Sequence, residues 1–356
     1  MSLINHIIYA TNVHQGGGKV LLLPILEELK KNKNTIFILD KRLKLPKSLF
    51  LKGRIIWVSP NLIGRFVLEC KLLKLITKET RITCMGNLPP LWAKSKHIEV
   101  FVQNRYIIES LSLSHFSFWV QMRIHLERWW LKTRAYRVNH FIVQTKSMSR
   151  LMQLKLWRVP SILPYTILPK VTKNKSDLKL KNIYDYVYIA SGAPHKNHRR
   201  LVEAWQIMAK HGIFPSLCLT IDKNNELELF RWIDARCQKY DLKIEMVGEL
   251  DHSEVQDLYN RSRVLVYPSL VESLGLPLLE SAASGLMIIA SDLDYVHDIV
   301  KPTAVFNPYS PEAIADTLMK KHPKSKVKIL TKLETASSFL KHTHSYNKLW
   351  SNELEV

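Results

Sequence analysis

Along most of the chain, short uninterrupted apolar runs alternate with longer stretches in which apolar residues recur every three or four positions. Uninterrupted runs suit strands buried on both faces of a parallel sheet, and the longer spacing suits helices that cover it. In the first half this pattern predicts strands at 5–11, 35–39, 54–58, 81–85, 98–103 and 140–144, with helices over 18–32, 62–78, 115–136 and 146–155. In the second half it predicts strands at 186–191, 216–221, 243–248, 264–268, 286–291 and 304–306, and helices over 198–211, 226–240, 252–261, 275–284 and 311–322. Such alternation implies an α/β protein built from doubly wound, Rossmann-like domains. The segment PKVTKNKSDLKLKN at 169–182 is polar, Lys-rich and without periodicity, so it reads as a linker between a domain at 1–168 and one at 183–325. After Pro323 helical spacing returns over 328–350, giving a C-terminal helical segment within 326–356. Two such domains are expected to face each other across a cleft.

Composition adds little until charge is counted. The 356 residues carry 52 Lys+Arg against 31 Asp+Glu, a net +21. Residues 1–165 hold 27 basic and 8 acidic groups, net +19, so nearly all the excess lies in the first half. A basic half points to a polyanionic partner, either nucleic acid or an acidic membrane surface. Against nucleic acid, no helix-turn-helix, RNP or zinc-finger pattern is present. Two basic-apolar segments with helical spacing, 62–78 and 115–134, suit an anionic lipid surface. No stretch approaches the roughly 20 apolar residues of a bilayer span, and no signal-like leader is written at the N-terminus. Cys70, Cys84, Cys218 and Cys237 are widely spaced without a C-x-x-C pair, which fits a reducing, cytoplasmic setting and excludes a zinc ribbon.

The densest chemical signal is VLVYPSLVESLGLPLLESAASGLMIIASD at 264–292, in the order strand, loop, helix, strand. In an open parallel sheet, ligands bind beyond the carboxyl ends of the strands, where helix N-termini present N–H groups to anions. Gly275 allows close approach of the backbone, and Pro277 fits the first helical turn. Glu272 and Glu280 bracket that turn as acceptors for sugar or ribose hydroxyls, so the loop suits a phosphorylated polyol. A second candidate, YIASGAPHKNHRRLVEAW at 188–205, places Lys196 at a strand-to-helix junction as a point charge for phosphate. NVHQGGGKVLLL at 12–23 brings Gly16, Gly17 and Gly18 to the start of the first helix, but it is neither a Walker A loop nor a G-x-G-x-x-G fingerprint.

Taken together, Glu272-x7-Glu280 with the internal ESLGLPLLE, the SGAPHKN stretch, the Gly-rich run and MVGEL at 246–250 resemble retaining family-4 glycosyltransferases of the GT-B fold, of the bacterial surface-polysaccharide type. The resemblance implies a GT-B pair of Rossmann-like domains and a nucleoside diphosphate sugar as donor. It implies Lys196 on the donor diphosphate and Glu272 on the transferred sugar, with these two as catalytic residues. Ser273, Leu274, Gly275 and Leu276 would lie on the phosphates and Glu280 on the ribose. Gly248 would lie under the base and Gly16, Gly17 and Gly18 against the phosphates from the first domain. Gln103, Asn104 and Arg105 end a strand on the acceptor side, with Asn104 and Arg105 as possible site residues. Many relatives carry an Arg five residues before the Lys and a His near 100–108; here the first position is Ser191 and the second region has no His. Arg105, Arg199 and Arg200 are candidates to replace the missing cation.

The activity implied is transfer of a hexose-type sugar, with retention and without metal or cofactor, to a lipid-linked saccharide. It would take place on the inner face of the cytoplasmic membrane, with no nucleic-acid partner. Asp292-Leu293-Asp294 resembles a metal-binding D-x-D pair but reads as a loop cap. Two alternatives stay open, a GT-B sugar-nucleotide epimerase and a basic nucleic-acid-binding protein.

Overall fold

The computed structural model describes residues 5–114, 116–166, 183–320, 322 and 327–342. The expected linker at 169–182 lies outside them. Compactness divides the chain into two units, one of Met1–Ile167 with Lys332–Val356 and one of Leu168–Thr331.

In the first unit the order is β1 (His6–Ala10), α1 (Gly16–Leu29), β2 (Thr35–Asp40), β3 (Arg54–Val58), α2 (Leu62–Leu75), β4 (Arg81–Cys84), β5 (His97–Phe101), α3 (Arg105–Ile108), α4 (Phe118–Arg134), β6 (His140–Val143), α5 (Lys146–Leu156) and β7 (Ser161–Ile162). The strands form one parallel sheet in the order β3-β2-β1-β4-β5-β6-β7. Side chains of a strand alternate between faces, and β1 shows the result. Ile7 and Tyr9 join a core with Leu68 and Leu72 of α2, Trp130 and Leu131 of α4 and Met148 and Met152 of α5. Ile8 and Ala10 join another with Leu21, Leu22, Ile25 and Leu26 of α1. Both faces are therefore covered, which is why the strands read as continuous apolar runs.

In the second unit the order is β8 (Tyr184–Tyr188), α6 (His198–Lys210), β9 (Leu217–Leu219), α7 (Leu227–Tyr240), β10 (Ile244–Met246), α8 (His252–Asn260), β11 (Ser262–Tyr267), α9 (Leu276–Ala283), β12 (Met287–Ser291), α10 (Asp294–Ile299), β13 (Val300–Lys301), β14 (Ala304–Phe306), α11 (Pro311–Met319) and β15 (Lys328–Ile329). Six strands form a parallel sheet ordered β10-β9-β8-β11-β12-β14. In each unit the first and fourth strands lie side by side, and chain direction away from them reverses. That is the doubly wound order, and its switch point is where such sheets bind ligands.

Helix boundaries follow local chemistry. Asn61, Thr145, Asp251 and Ser310 each cap a helix, accepting from a backbone N–H of its first turn, and Asp251 closes a capping box with Glu254. The C-terminal segment departs from its expected form. Lys328–Ile329 pairs antiparallel with Val300–Lys301 instead of starting a helix. Helix begins only at 336, after Thr335, whose hydroxyl accepts from the Ser338 N–H. The strand pairing satisfies backbone groups that a helix start would leave open. Phe339 then packs at 5.2 Å between ring centroids on both Phe101 and Tyr165, so this helix completes the core of the first unit.

Candidate functional site

The second unit's switch point lies between β8 and β11, and the loops leaving these two strands carry Lys196 and Glu272. β8 ends at Tyr188, three residues before its expected end, which frees 189–196 as a loop. That loop closes in a 3-10 turn at Pro194–Lys196 and reverses at Asn197, whose φ is +63°. The buried Asn197 side chain donates to the carbonyls of Pro268 (3.1 Å) and Pro308 (2.8 Å). The Leu270 N–H donates to the His195 carbonyl at 2.8 Å, and the Tyr188 hydroxyl donates to the Lys196 carbonyl at 2.8 Å. The two loops are thereby stitched together, and the Lys196 position is fixed by its own backbone.

Lys196 Nζ donates to Glu272 Oε1 at 2.5 Å, both side chains being less than one-fifth exposed. The Tyr267 hydroxyl, at the end of β11, donates to the same oxygen at 2.8 Å. Burial works against a charge on Glu272, but Lys196 and the hydroxyls of Ser269 and Tyr267 outweigh it and hold the carboxyl below the usual glutamate range. An ionised carboxylate and an ammonium therefore face each other. An anion approaching here would meet a cation already in place.

Ser273 and the buried Leu274 lead to Gly275, which sits before the first turn of α9 with φ +68°. No side chain caps this helix, and Pro277 stands in its first turn. A Cβ on Gly275 would lie 3.1 Å from Leu278 Cδ1 and 3.6 Å from the Tyr267 hydroxyl. The left-handed backbone conformation thus favours glycine, and an added Cβ would press on Leu278. Leu276 opens the helix and Glu280 follows one turn later. Tyr259, fully buried on α8, donates its hydroxyl to Glu280 Oε2 at 3.2 Å. Burial lifts the Glu280 carboxyl above its ordinary range, only partly offset by Tyr259. The two glutamates are thus tuned in opposite directions, and each is held by a buried tyrosine. Neither tyrosine was singled out from the sequence. Tyr267 ends an otherwise aliphatic strand end, VLVY, and that polar-tipped ring is the one signal available.

Gly248 follows β10, the edge strand two places from β8, with φ +80° and open space where a Cβ would be. It belongs to the same carboxyl edge of the sheet. Arg200 donates to Asn197 Oδ1 at 3.0 Å, next to Lys196. Arg199 pairs with Glu228 and lies over the Trp232 ring. Ser191 is exposed.

The remaining residues predicted for the site lie in the first unit. Gly16, Gly17 and Gly18 form the first turn of α1, at the carboxyl end of β1, with Gly16 at φ +58°. A Cβ on Gly18 would approach Gln103 Oε1 at 3.8 Å, so the Gly-rich turn lies against the end of β5. Asn104 caps α3, accepting from the Tyr106 N–H, and Arg105 pairs with Glu109. Both thus have local structural partners. Among the described residues no three of His, Cys, Asp and Glu come together to hold a metal ion. Asp292 bonds His297 at 2.7 Å, and Asp294 opens α10, accepting from the Tyr295 N–H at 2.7 Å.

Residues 171–323 match the family model described as Glycosyl transferases group 1. This chain carries a glycosyl transferases group 1 domain. Lys196, Gly248, Glu272 and Glu280 all belong to the group 1 domain. The chain is 28% identical over 135 residues to the O-antigen chain mannosyltransferase RfbU of Salmonella typhimurium, covering 37% of each protein. It is 27% identical over 116 residues to O-antigen chain mannosyltransferase B of Escherichia coli, 32% of this chain and 30% of that protein. The alignments thus span about a third of these curated relatives. Among solved structures, Anabaena HepE in complex with UDP and glucose superposes with a TM-score of 0.65 at 12% identity, covering 88% of this chain and 89% of that one. WaaG, a glycosyltransferase involved in lipopolysaccharide biosynthesis, does so with a TM-score of 0.61 at 16% identity and the same coverage. The fold that flanks the group 1 domain is therefore also shared with GT-B glycosyltransferases.

Proposed function

We propose that the protein is a retaining glycosyltransferase that moves a hexose-type sugar from a nucleoside diphosphate sugar to a lipid-linked saccharide, in the assembly of a surface polysaccharide. The observation that carries this reading is the Lys196–Glu272 pair at the switch point of a group 1 domain, beside the uncapped N-terminus of α9. In this reading Lys196 transfers its contact from Glu272 to the donor diphosphate. The first turn of α9, with Ser273, Leu274, Gly275 and Leu276 around it, adds backbone N–H groups to the same phosphates. As the glycosidic bond breaks, negative charge grows on the leaving diphosphate, and these fixed donors stabilise it without reorganisation. Glu272, ionised and oriented by Tyr267, accepts from hydroxyls of the sugar, and Glu280 accepts from the ribose. Gly248 leaves room under the base. Arg200 is the cation best placed to stand in for the Arg absent at Ser191. Departure and attack share one side of the ring, so configuration is retained, and no metal or cofactor takes part.

The relatives named as O-antigen mannosyltransferases support a saccharide acceptor. The net +19 of residues 1–165 supports a carrier in an anionic membrane, and hence a cytoplasmic protein peripheral to the inner leaflet. The direct test offers UDP- and GDP-hexoses with a lipid-linked saccharide fraction in the presence of a chelator. Sugar transferred to the lipid phase with an unchanged anomeric configuration is expected. A requirement for manganese would contradict the mechanism, and conversion of the donor without acceptor would identify an epimerase.

A further inference from the structure

The Lys196–Glu272 pair joins the two loops of the second unit's switch point, and its enclosure sets a condition on what can bind there. The two side chains are 18% and 12% exposed. Burial opposes a charge on Glu272, and attraction to Lys196 is the largest of the effects that sustain it. The other groups around the carboxylate are uncharged or engaged. Tyr267 donates to Oε1 at 2.8 Å, and Ser269 adds a hydroxyl. The rings of Tyr188 and Tyr295 pack on Tyr267, with centroids 5.6 and 6.3 Å from it. Their hydroxyls are taken by backbone, Tyr188 donating to the Lys196 carbonyl at 2.8 Å and Tyr295 to the Ser269 carbonyl at 2.7 Å. His198, stacked on the Tyr188 ring, is kept neutral by burial. The next cations along the chain are bound elsewhere, Arg199 to Glu228 and Arg200 to Asn197.

Such a pair cannot be opened from one side without consequence. When Lys196 turns to an anion, Glu272 keeps the hydroxyls of Tyr267 and Ser269 but loses its cation. A buried carboxylate deprived of its counter-charge is strongly unfavourable. New donors therefore have to reach Glu272 as Lys196 leaves. Sugar hydroxyls are such donors, whereas the ionised phosphate end of a free nucleoside diphosphate only accepts.

We infer that this pair makes the site distinguish a nucleoside diphosphate sugar from the free nucleoside diphosphate, because only the sugar replaces Lys196 on Glu272. The inference rests on the proposed roles of Lys196 on the diphosphate and Glu272 on the sugar, and adds to them a device for clearing product. While the sugar is bound, both charges are satisfied. Once it has passed to the acceptor, Glu272 has lost its hydroxyl donors and draws Lys196 back. The diphosphate then loses its cation and leaves.

The test is calorimetric titration of UDP, GDP and a panel of UDP- and GDP-hexoses into the full chain, a Glu272→Gln variant and a Lys196→Ala, Glu272→Gln variant. Glutamine keeps the shape and an acceptor oxygen for Tyr267, but not the charge that holds Lys196. Glu272→Gln is therefore expected to bind the free nucleotide about tenfold or more tightly than wild type does. The double variant should lose that gain, which assigns it to Lys196. In wild type, one or more sugar nucleotides should bind about tenfold more tightly than the matching nucleotide, a preference that disappears in Glu272→Gln. The wild-type ranking needs no variant, so it stands even where a substitution lowers stability. Nucleotide binding that Glu272→Gln weakens or leaves unchanged would overturn the inference while leaving the nucleotide site in place. A wild type that binds free nucleotide as tightly as every sugar nucleotide would do the same. Binding of none of these ligands by any of the three proteins would instead overturn the transferase reading, and the inference with it.

Discussion

At the residue scale, two glutamates of the second unit sit in environments that tune them apart. Glu272 is held ionised by Lys196 and Tyr267, while Glu280 is lifted by burial and helped only by Tyr259. As pH falls, Glu280 takes up its proton first and Glu272 last. Donor affinity is therefore expected to decline on acidification at a higher pH than an ordinary glutamate would give. A Glu280→Gln variant should bind more weakly at neutral pH and lose that acid limb, as titrations across the range would show. The tyrosines separate the roles. A hydrogen bond to a charged group contributes about 1.5–3 kcal/mol, so Tyr267→Phe should cost roughly tenfold or more in kcat/KM. In this account its effect falls mainly on kcat, whereas Tyr259→Phe raises the donor KM with a smaller change in kcat. Identical kinetic signatures for the two variants would show that neither tyrosine positions its glutamate separately.

At the element scale, the strand-loop-helix unit from β11 to α9 depends on one backbone conformation. Gly275 at φ +68° would force an alanine into the left-handed region at roughly 1–2 kcal/mol and press it on Leu278. Gly275→Ala should lower Tm by a few degrees and weaken nucleotide binding, measured by thermal melting and calorimetry. An unchanged affinity would detach the α9 N-terminus from the phosphates. Most elements were legible in the sequence, because strands covered on both faces carry continuous apolar runs and their helices carry clear spacing. What was not legible has physical reasons. The two-residue strands β7 and β15 are too short to show a period, and α3 is a single turn set by Asn104 and not by an apolar stripe. The apolar spacing over 328–350 could not reveal that Lys328–Ile329 would pair with Val300–Lys301. Within the site, the motif supplied Lys196, Glu272 and Glu280. The contact of Lys196 with Glu272, 76 positions apart, and the tyrosine behind each glutamate arise from strand order, which spacing does not encode.

At the scale of the whole molecule, each unit contains a histidine whose charging opposes folding. His198, buried on the ring of Tyr188 with neither ring nitrogen bonded, is pushed down to about 3 by burial and by Lys196 and His195. His140 is pushed down to about 4 by burial and by Arg158. Both stay neutral in the fold while the unfolded chain protonates near pH 6.5. The stability they support is full above pH 6.5 and is lost as pH falls from there toward the folded values. The slope is about 1.4 kcal/mol per pH unit for each proton taken up. Urea unfolding at pH 7, 6 and 5 should show both units weakening, and His198→Phe should remove the second unit's share. A variant as acid-sensitive as wild type would place the effect elsewhere.

In the proposed function, Lys196, Glu272, Glu280 and the α9 N-terminus form a nucleoside diphosphate site. Calorimetric titration of UDP and of GDP into the wild-type chain and a Lys196→Ala, Glu280→Ala variant tests it most directly. Binding of one nucleotide, abolished in a variant that melts as wild type does, is the predicted result. Binding of neither nucleotide, or equal binding by both proteins, would contradict it.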